Sequence, residues 1–433
     1  MRRYRRNLSA MFKAKAASDI ILPISVLLCL ATGNSMAAGF YITEIGTPGS
    51  LGTAGAANPT NTYHADSAWT NPAGMTGLDE DRIVAGLQVV APKVEFDPSV
   101  AEAGGKDGGN AGKAVPIPSL FYVKRLSDRG RFGFSVIAPQ GGGVNYGDDF
   151  VGRYSSTKAE IGVIGLSPSL AYQVSDRLSV GGGISALYTK YEINIAFNSA
   201  AILPGASDAK IKVENATDWG YQPFLGLTYQ LTDQALLGAV YRAKADVDLN
   251  GDVNVRNWSL PTPVPGLNDV DISWDNPQWL DVGLRYTFGN NNTLFLNGGW
   301  QDWSEFSENG IEVSGGRANI DTEIDRQWDD TWYARIGFAH DIGEQSVYTL
   351  GVSYDSSPVK DRHRTFDLPV DEYYKVSAAY GWKGKNKLNY ALGATLLIVG
   401  DAEIDQTSQG VRAAGEFDTN YILFAGGTVR YAF

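Results

Sequence analysis

The chain has 433 residues, 43 % of them hydrophobic, with a formal net charge of −12 and a mean hydropathy of −0.18. Length alone predicts two or three soluble domains, but the absence of any run of about 18 apolar residues excludes helical membrane spans, and the acidic balance argues against a nucleic-acid partner. Fifty glycines and 11 % aromatics, Tyr leading with 22, fit a sheet protein with tight turns and aromatic surface belts.

In chain order, the N-terminus comes first. Arg2, Arg3, Arg5, Arg6, Lys13 and Lys15 precede an apolar run from Ile20 to Ala31, and Ser35-Met36-Ala37 follow it. Charged, apolar, then small is the order of a secretory leader, so residues 1–37 are read as a signal peptide. Its apolar run of about 12 residues is too short to span a bilayer, and Pro23 argues against a stable anchor. The competing reading is an amphipathic helix. Leu28 stands before Cys29 where a lipoprotein needs a small residue. Cleavage after Ala37 removes six basic residues and Asp19, taking the charge from −12 to −17, and removes the single Cys.

Residues 38–81 alternate poorly and precede the first strand. A stretch of about 44 residues without a place in the sheet is usually functional or disordered. Phe40, Tyr41, Ile42, Leu51, Tyr63 and Trp69 argue for burial. The segment is therefore expected to plug a lumen as a hatch.

From Arg82 the chain reads as strands. Leu280, Val282, Leu284, Tyr286 and Phe288 alternate with Asp281, Gly283, Arg285 and Thr287. Trp332, Ala334, Ile336 and Phe338 alternate with Tyr333, Arg335 and Gly337. Tyr348, Leu350, Val352 and Tyr354 form another apolar row, as do Tyr374, Val376, Ala378, Tyr380 and Trp382. Successive side chains of a strand point to opposite faces, so each segment has one apolar and one mixed face. A soluble sandwich alternates too, but three features favour a membrane barrel. Aromatic residues begin or end many rows, as in the girdles of outer-membrane barrels. Short turns near residues 127–130, 175–176, 232–233, 289–292, 343–345 and 383–386 alternate with long loops at 97–114, 141–157, 199–208, 258–268, 358–370 and 403–416; a connection near 315–318 is short where a long one was due. The chain ends in the row Tyr421, Leu423, Ala425, Gly427, Val429, Tyr431, Phe433, which resembles the signal read by the barrel-assembly machinery.

Fourteen segments result: about 82–96, 115–126, 131–140, 158–174, 177–198, 209–230, 234–257, 269–288, 292–314, 319–341, 346–357, 371–383, 387–402 and 417–433. The expected fold is an all-β, 14-stranded antiparallel transmembrane β-barrel over residues 82–433, with residues 38–81 in its lumen. An even count puts both termini on one side, the periplasm. Strands longer than the roughly 9–11 residues a bilayer needs should project outward.

Several motifs in this order resemble the FadL/TodX family of outer-membrane transporters of hydrophobic compounds. They are Ala38-Gly39-Phe40, Asn71-Pro72-Ala73-Gly74, Ala138-Pro139-Gln140-Gly141, Gly152-Arg153-Tyr154, Pro168-Ser169-Leu170-Ala171-Tyr172, Trp303-Ser304 with Phe306, Tyr354-Asp355-Ser356-Ser357-Pro358-Val359, Arg364-Thr365, Leu368-Pro369 and Tyr431-Ala432-Phe433. The resemblance implies fourteen strands and a hatch. It also implies an extracellular apolar groove, a lumen site by the hatch, and a lateral opening where the third strand kinks. Phe40, Asn71, Pro72 and Ala73 would then belong to the hatch, and Pro139, Gly141, Gly142 and Gly143 to the opening. The implied partners are outer-membrane lipid, lipopolysaccharide and a hydrophobic ligand, with the protein a monomer.

The chemistry required is desolvation, worth about 25 cal/mol per Å² of apolar surface, and no bond is made or broken. Only His64, His340 and His363 exist, without a nucleophile–base pair or metal spacing, so no enzyme, cofactor or metal site is expected. Asp246-x-Asp248 and Asp321-x-Glu323 read as solvated carboxylates before they read as Ca²⁺ ligands. Pro139 and the Gly141–Gly143 run either open a kinked strand or simply end it. Asn71-Pro72-Ala73 is either a turn starter or a hatch turn locked to the wall. A fatty acid needs a partner for its carboxylate. Arg153, Lys190 and Arg335 are the candidates, and the row Arg242, Lys244, Asp246, Asp248 is expected inside, as a salt-bridge network or an anion guide. The expected function is passive uptake of long-chain fatty acids. The alternatives are a hydrocarbon channel of the same family, a plugged structural or adhesive barrel, and a polar-solute porin.

Overall fold

The computed structural model describes residues 45, 47–264, 266–315 and 320–433. The expected leader and Phe40 lie outside them. Among the described residues one antiparallel sheet contains β1 (Arg82–Ala101), β2 (Val115–Arg125), β3 (Gly130–Asn145), β4 (Lys158–Gln173), β5 (Leu178–Phe197), β6 (Ala209–Gln230), β7 (Ala235–Arg242), β8 (Ala245–Arg256), β9 (Asp269–Asn276), β10 (Trp279–Phe288), β11 (Asn292–Gln301), β12 (Glu308–Ser314), β13 (Ile320–Asp325), β14 (Thr331–Ile342), β15 (Ser346–Asp355), β16 (Tyr373–Lys383), β17 (Leu388–Val399), β18 (Ile404–Ser408) and β19 (Val411–Ala432). Four pairs, β7/β8, β9/β10, β11/β12 and β13/β14, are halves of interrupted wall strands, and β18 is a short arm on β19. The wall thus has fourteen strands. It closes where β1 pairs with β19, from Arg82↔Ala432 to Glu95↔Thr419 and, past a bulge, on to Ala101↔Ala413.

The interruptions correct the sequence expectation of four unbroken strands. Pro277 has no N–H to give a ladder, and Trp303–Phe306 form a 3-10 turn that buries Trp303 and Phe306. The end strands are also longer than expected, because outside the bilayer level they pair through residues that no longer alternate.

The apolar rows face outward. Leu280, Val282, Tyr286, Phe288, Ile336, Leu350, Val376, Leu423 and Val429 are all exposed on the wall. Aromatic clusters mark two heights. At the end with the short turns, Tyr380, Trp382 and Tyr390 stack at 5.9 and 5.7 Å, and Tyr431 stacks on Phe433 at 5.6 Å. Towards the long loops, Trp332, Tyr354 and Tyr374 follow at 5.1 and 5.2 Å, and Tyr188 meets Trp219 at 5.2 Å. Tyr374 and Trp382 lie eight residues apart on β16, roughly 20 Å of height at ~3.4 Å per residue and the usual strand tilt. That matches an outer-membrane apolar band.

Residues 47–78 lie inside the wall. They contain α1 (Pro48–Leu51), 3-10 turns at Asn58–Thr60 and Pro72–Gly77, and α2 (Ser67–Thr70), and most of their residues are buried. The wall makes room for them with inward glycines. A Cβ on Gly238 would overlap the Pro59 carbonyl, one on Gly351 the Thr53 backbone, and one on Gly226 the Asn71 side chain. Gly238 stands directly opposite Gly283 across β7 and β10, and Gly337 opposite Gly351 across β14 and β15.

Candidate functional site

Side chains from many wall strands grip the inner segment. Arg131 Nε donates to the Leu78 carbonyl at 2.8 Å, Arg285 Nη1 to Thr60 O at 2.9 Å, Thr395 Oγ1 to Leu51 O at 2.7 Å and Arg242 Nη2 to Trp69 O at 2.5 Å. Asn71, Pro72 and Ala73 sit at the centre of this grip. The fully buried Asn71 amide donates to Pro59 O at 2.6 Å and to Leu227 O of β6 at 3.0 Å, while its Oδ1 accepts from Ala73 N at 3.1 Å. One side chain thus caps the Pro72 turn and ties it to the wall.

Beside the inner segment the wall has a break. The β2–β3 ladder runs only from Arg125↔Arg131 to Leu120↔Val136, although β2 keeps its register with β1 up to Val115. Two prolines explain this. Leu126 N donates across to Gly130 O on β3, whereas Arg125 N turns the other way to Asp81. Residues two apart share a direction, so Pro116 and Pro118 occupy positions whose N–H would face β3 and have none to offer. On the other edge, β3 bulges at Ala138-Pro139 between Ile137↔Gly165 and Gln140↔Val163. Gly141, Gly142 and Gly143 then continue the ladder with β4 to Asn145. The expectation that the strand ends near residue 140 is therefore corrected: bonds are missing on the β2 side alone. The break is bounded towards the loops by Ala111, which donates to Val94 O and accepts from Asn145 N. It lies at the height of Leu87 and Val89, both exposed on the outer face.

The break borders an apolar column. Leu51 of the inner segment, then Val90, Ile117, Val144, Leu397 and Phe424 lead to a knot of Phe96, Tyr146, Phe150, Phe366 and Phe417 below the loops, with Tyr146 stacked on Phe150 at 4.1 Å. A second cluster across the lumen centres on Tyr191, Trp274, Trp303, Phe306 and Trp328.

The three expected carboxylate partners separate. Arg335 is inward and buried, but it faces Asp355 at 3.6 Å and lies over the Tyr333 ring at 3.8 Å; Asp355 in turn meets Lys375 at 2.7 Å. Arg153 is a loop latch, bonded to Asp208 at 2.9 Å and to the carbonyls of Ala103 and Gly104 at 3.0 Å. Lys190 stands on the outer face of β5, paired with Glu192 at 2.8 Å and away from the lumen. The expectation that the whole row 242–248 points inside is corrected. The break at Ala243-Lys244 shifts the alternation, so Arg242 points in while Lys244, Asp246 and Asp248 fall on the other face. Lys244 bonds Glu305 at 2.6 Å and Asp275 at 2.9 Å.

Two ion pairs clamp the loops over the lumen. Arg326 bonds Asp367 at 2.7 and 3.3 Å, and Arg364 meets Asp371 at 3.0 Å. Burial works against the Asp367 carboxylate, but the Arg326 guanidinium outweighs it and holds the pKa below the usual carboxylate range. A depressed pKa contributes stability above the unfolded value of ~3.9 that is lost as pH falls through the folded value. Asp367→Asn strands a buried guanidinium and should destabilise the clamp by about 3–5 kcal/mol at neutral pH. Hydrogen exchange across residues 358–370 checks this. The gap between variant and wild type should shrink below about pH 4.

Residues 28–433 match the model of the outer membrane protein transport protein family (OMPP1/FadL/TodX). The chain belongs to this family. It is therefore an outer-membrane β-barrel, and its family comprises transporters of hydrophobic compounds. A long-chain fatty acid transport protein of Salmonella typhi is 21 % identical over 425 residues, covering 92 % of this chain and 97 % of its own. Outer membrane protein P1 of Haemophilus influenzae is 21 % identical over 397 residues, covering 82 % and 85 %. Among solved folds, a Pseudomonas aeruginosa FadL homologue superposes with a TM-score of 0.81 at 22 % identity, over 92 % of this chain and all of that one. The Ralstonia pickettii toluene transporter TbuX gives 0.67 at 21 %, over 90 % and 99 %. The TbuX likeness and the FadL-homologue likeness both speak to fold.

Sequence reasoning missed three features of this FadL/TodX barrel. The glycine belt was visible only as scattered inward glycines. Pro116-Ile117-Pro118 did carry a signal, because two prolines at alternate positions of a strand mark an edge without a partner. The buried amides of Gln222 and Asn276 carried none.

Proposed function

We propose that this transporter takes up hydrophobic small molecules passively, with long-chain fatty acids as the first cargo and aromatic or aliphatic hydrocarbons as the second. The observation that carries the reading is the break between β2 and β3, placed at the foot of an apolar column and beside the inner segment. Cargo enters from an apolar surface among the loops, moves down the column, meets the inner segment acting as a hatch, and leaves sideways between Pro116–Pro118 and Pro139–Gly143. Both termini then face the periplasm, Lys190 and Glu192 lie at the level of lipopolysaccharide, and the barrel works as a monomer inserted by the assembly machinery. Every step is desolvation and resolvation, without covalent chemistry.

The fatty-acid choice is supported by the names of the relatives that align over most of the chain. The hydrocarbon choice is supported by the toluene-transporter folds and by the pairing of Arg335 with Asp355. Proteoliposomes loaded by oleate, toluene or a small sugar distinguish the readings. Wild type should pass oleate, toluene or both and exclude sugar, and valine at Gly141, Gly142 and Gly143 should slow the apolar flux. Sugar flux alone would mean a porin; no flux above protein-free vesicles would mean a structural barrel.

A further inference from the structure

Two side-chain amides face the lumen where β7, β9 and β11 break off. Gln222 on β6 and Asn276 at the end of β9 are each 1 % exposed. Gln222 Nε2 donates to the Pro277 carbonyl at 3.5 Å, which orients the amide, since the reverse setting would bring two oxygens together. Its Oε1 then has no donor. Among the described residues neither Nδ2 nor Oδ1 of Asn276 has a partner. Buried amides are nearly always paired, because unpaired ones carry their full desolvation cost. Three free amide atoms, on Gln222 and on the neighbour of the Pro277 that Gln222 reaches, therefore point to a polar group that arrives with the cargo.

The surroundings define that cargo. Arg242 closes the hatch side, stacked over Trp69 at 3.6 Å and bonded to Ser185 Oγ at 3.3 Å. On the loop side stands the Trp274 ring, 4.6 Å from Phe306. We propose that Gln222 and Asn276 form a seat for a neutral head that both donates and accepts: the hydroxyl of an aliphatic alcohol or a phenol, or an undissociated carboxyl. The O–H donates to Gln222 Oε1, the oxygen accepts from Asn276 Nδ2, and the tail lies against Trp274 and Phe306. A hydroxyl thus pairs two of the three atoms; an ionised carboxylate only accepts and leaves both amide oxygens, Gln222 Oε1 and Asn276 Oδ1, unpaired, and a hydrocarbon leaves all three. This inference rests on the uptake reading above and narrows its cargo.

Equilibrium binding of radiolabelled dodecan-1-ol, dodecanoate at about pH 8, where it is ionised, and n-dodecane to the purified full-length barrel tests it. Dodecanol should bind about tenfold tighter than dodecane, and Gln222→Leu and Asn276→Leu should each cost dodecanol about tenfold while leaving dodecane unchanged or tighter. Equal binding of dodecanol and dodecane overturns the seat but keeps the uptake reading. Dodecanoate binding tighter than dodecanol also overturns it, in favour of an anion. Binding of none of the three overturns both readings. If the leucine variants do not assemble, the wild-type ratio still decides.

Discussion

Valine at both Gly238 and Gly351 should open the lumen to ions. A Cβ at either position collides with backbone, the Pro59 carbonyl or the Thr53 chain, which cannot rotate away as a flexible side chain would. The wall itself should tolerate the change. Valine suits a strand, and the β7–β10 and β14–β15 ladders do not depend on the glycines having no side chain. The strain therefore falls on the inner segment, which has no ladder with the wall and is held by single bonds such as Asn71 to Leu227 and Thr395 to Leu51. Single-channel recording in planar bilayers should show conductance rising by an order of magnitude or more, with heat-modifiable mobility in gels confirming an intact barrel. Unchanged conductance in a folded variant would show that the segment repacks rather than leaves.

The second large effect is expected at the break, where stability and uptake should move in opposite directions. Pro116→Thr with Pro118→Thr restores two N–H groups on the edge of β2 that faces β3 and leaves the lumen face of the strand untouched. The ladder can then extend beyond Leu120↔Val136. Two added hydrogen bonds should stabilise the barrel by about 1–3 kcal/mol, while oleate uptake into proteoliposomes falls about tenfold, the equivalent of ~1.4 kcal/mol on the exit barrier. Rising stability with unaltered uptake would remove the break from the transport route. Falling stability would show that the prolines are needed for β2 to fold.

Much of this architecture was legible because alternation is local. The rows from Leu280 to Phe288 and from Tyr421 to Phe433 face outward as their residue types dictate, and the change from tight turns to long loops orders the two ends of the barrel. Legibility stopped where alternation stopped. Lys190 lies on a part of β5 beyond the Tyr188 girdle, where the outer face turns charged with Lys190 and Glu192 while Tyr191 and Ile193 join an apolar cluster in the lumen, so the rule of apolar outside no longer holds. Lys244, Asp246 and Asp248 were placed on the wrong face because one break in a strand reverses every side chain after it.

The sequence alone determined the class: fourteen two-faced strands, an apolar skin with aromatic edges, and an N-terminal stretch that needed burial. Only the closed barrel decided which residues meet across it. Gly238 faces Gly283, Gln222 reaches the Pro277 carbonyl, and Pro116 and Pro118 fall past the end of the β2–β3 ladder because strand stagger sets their heights. Stagger belongs to the whole ring, since each ladder constrains the next until the last strand meets the first, and so it cannot be read from any one segment.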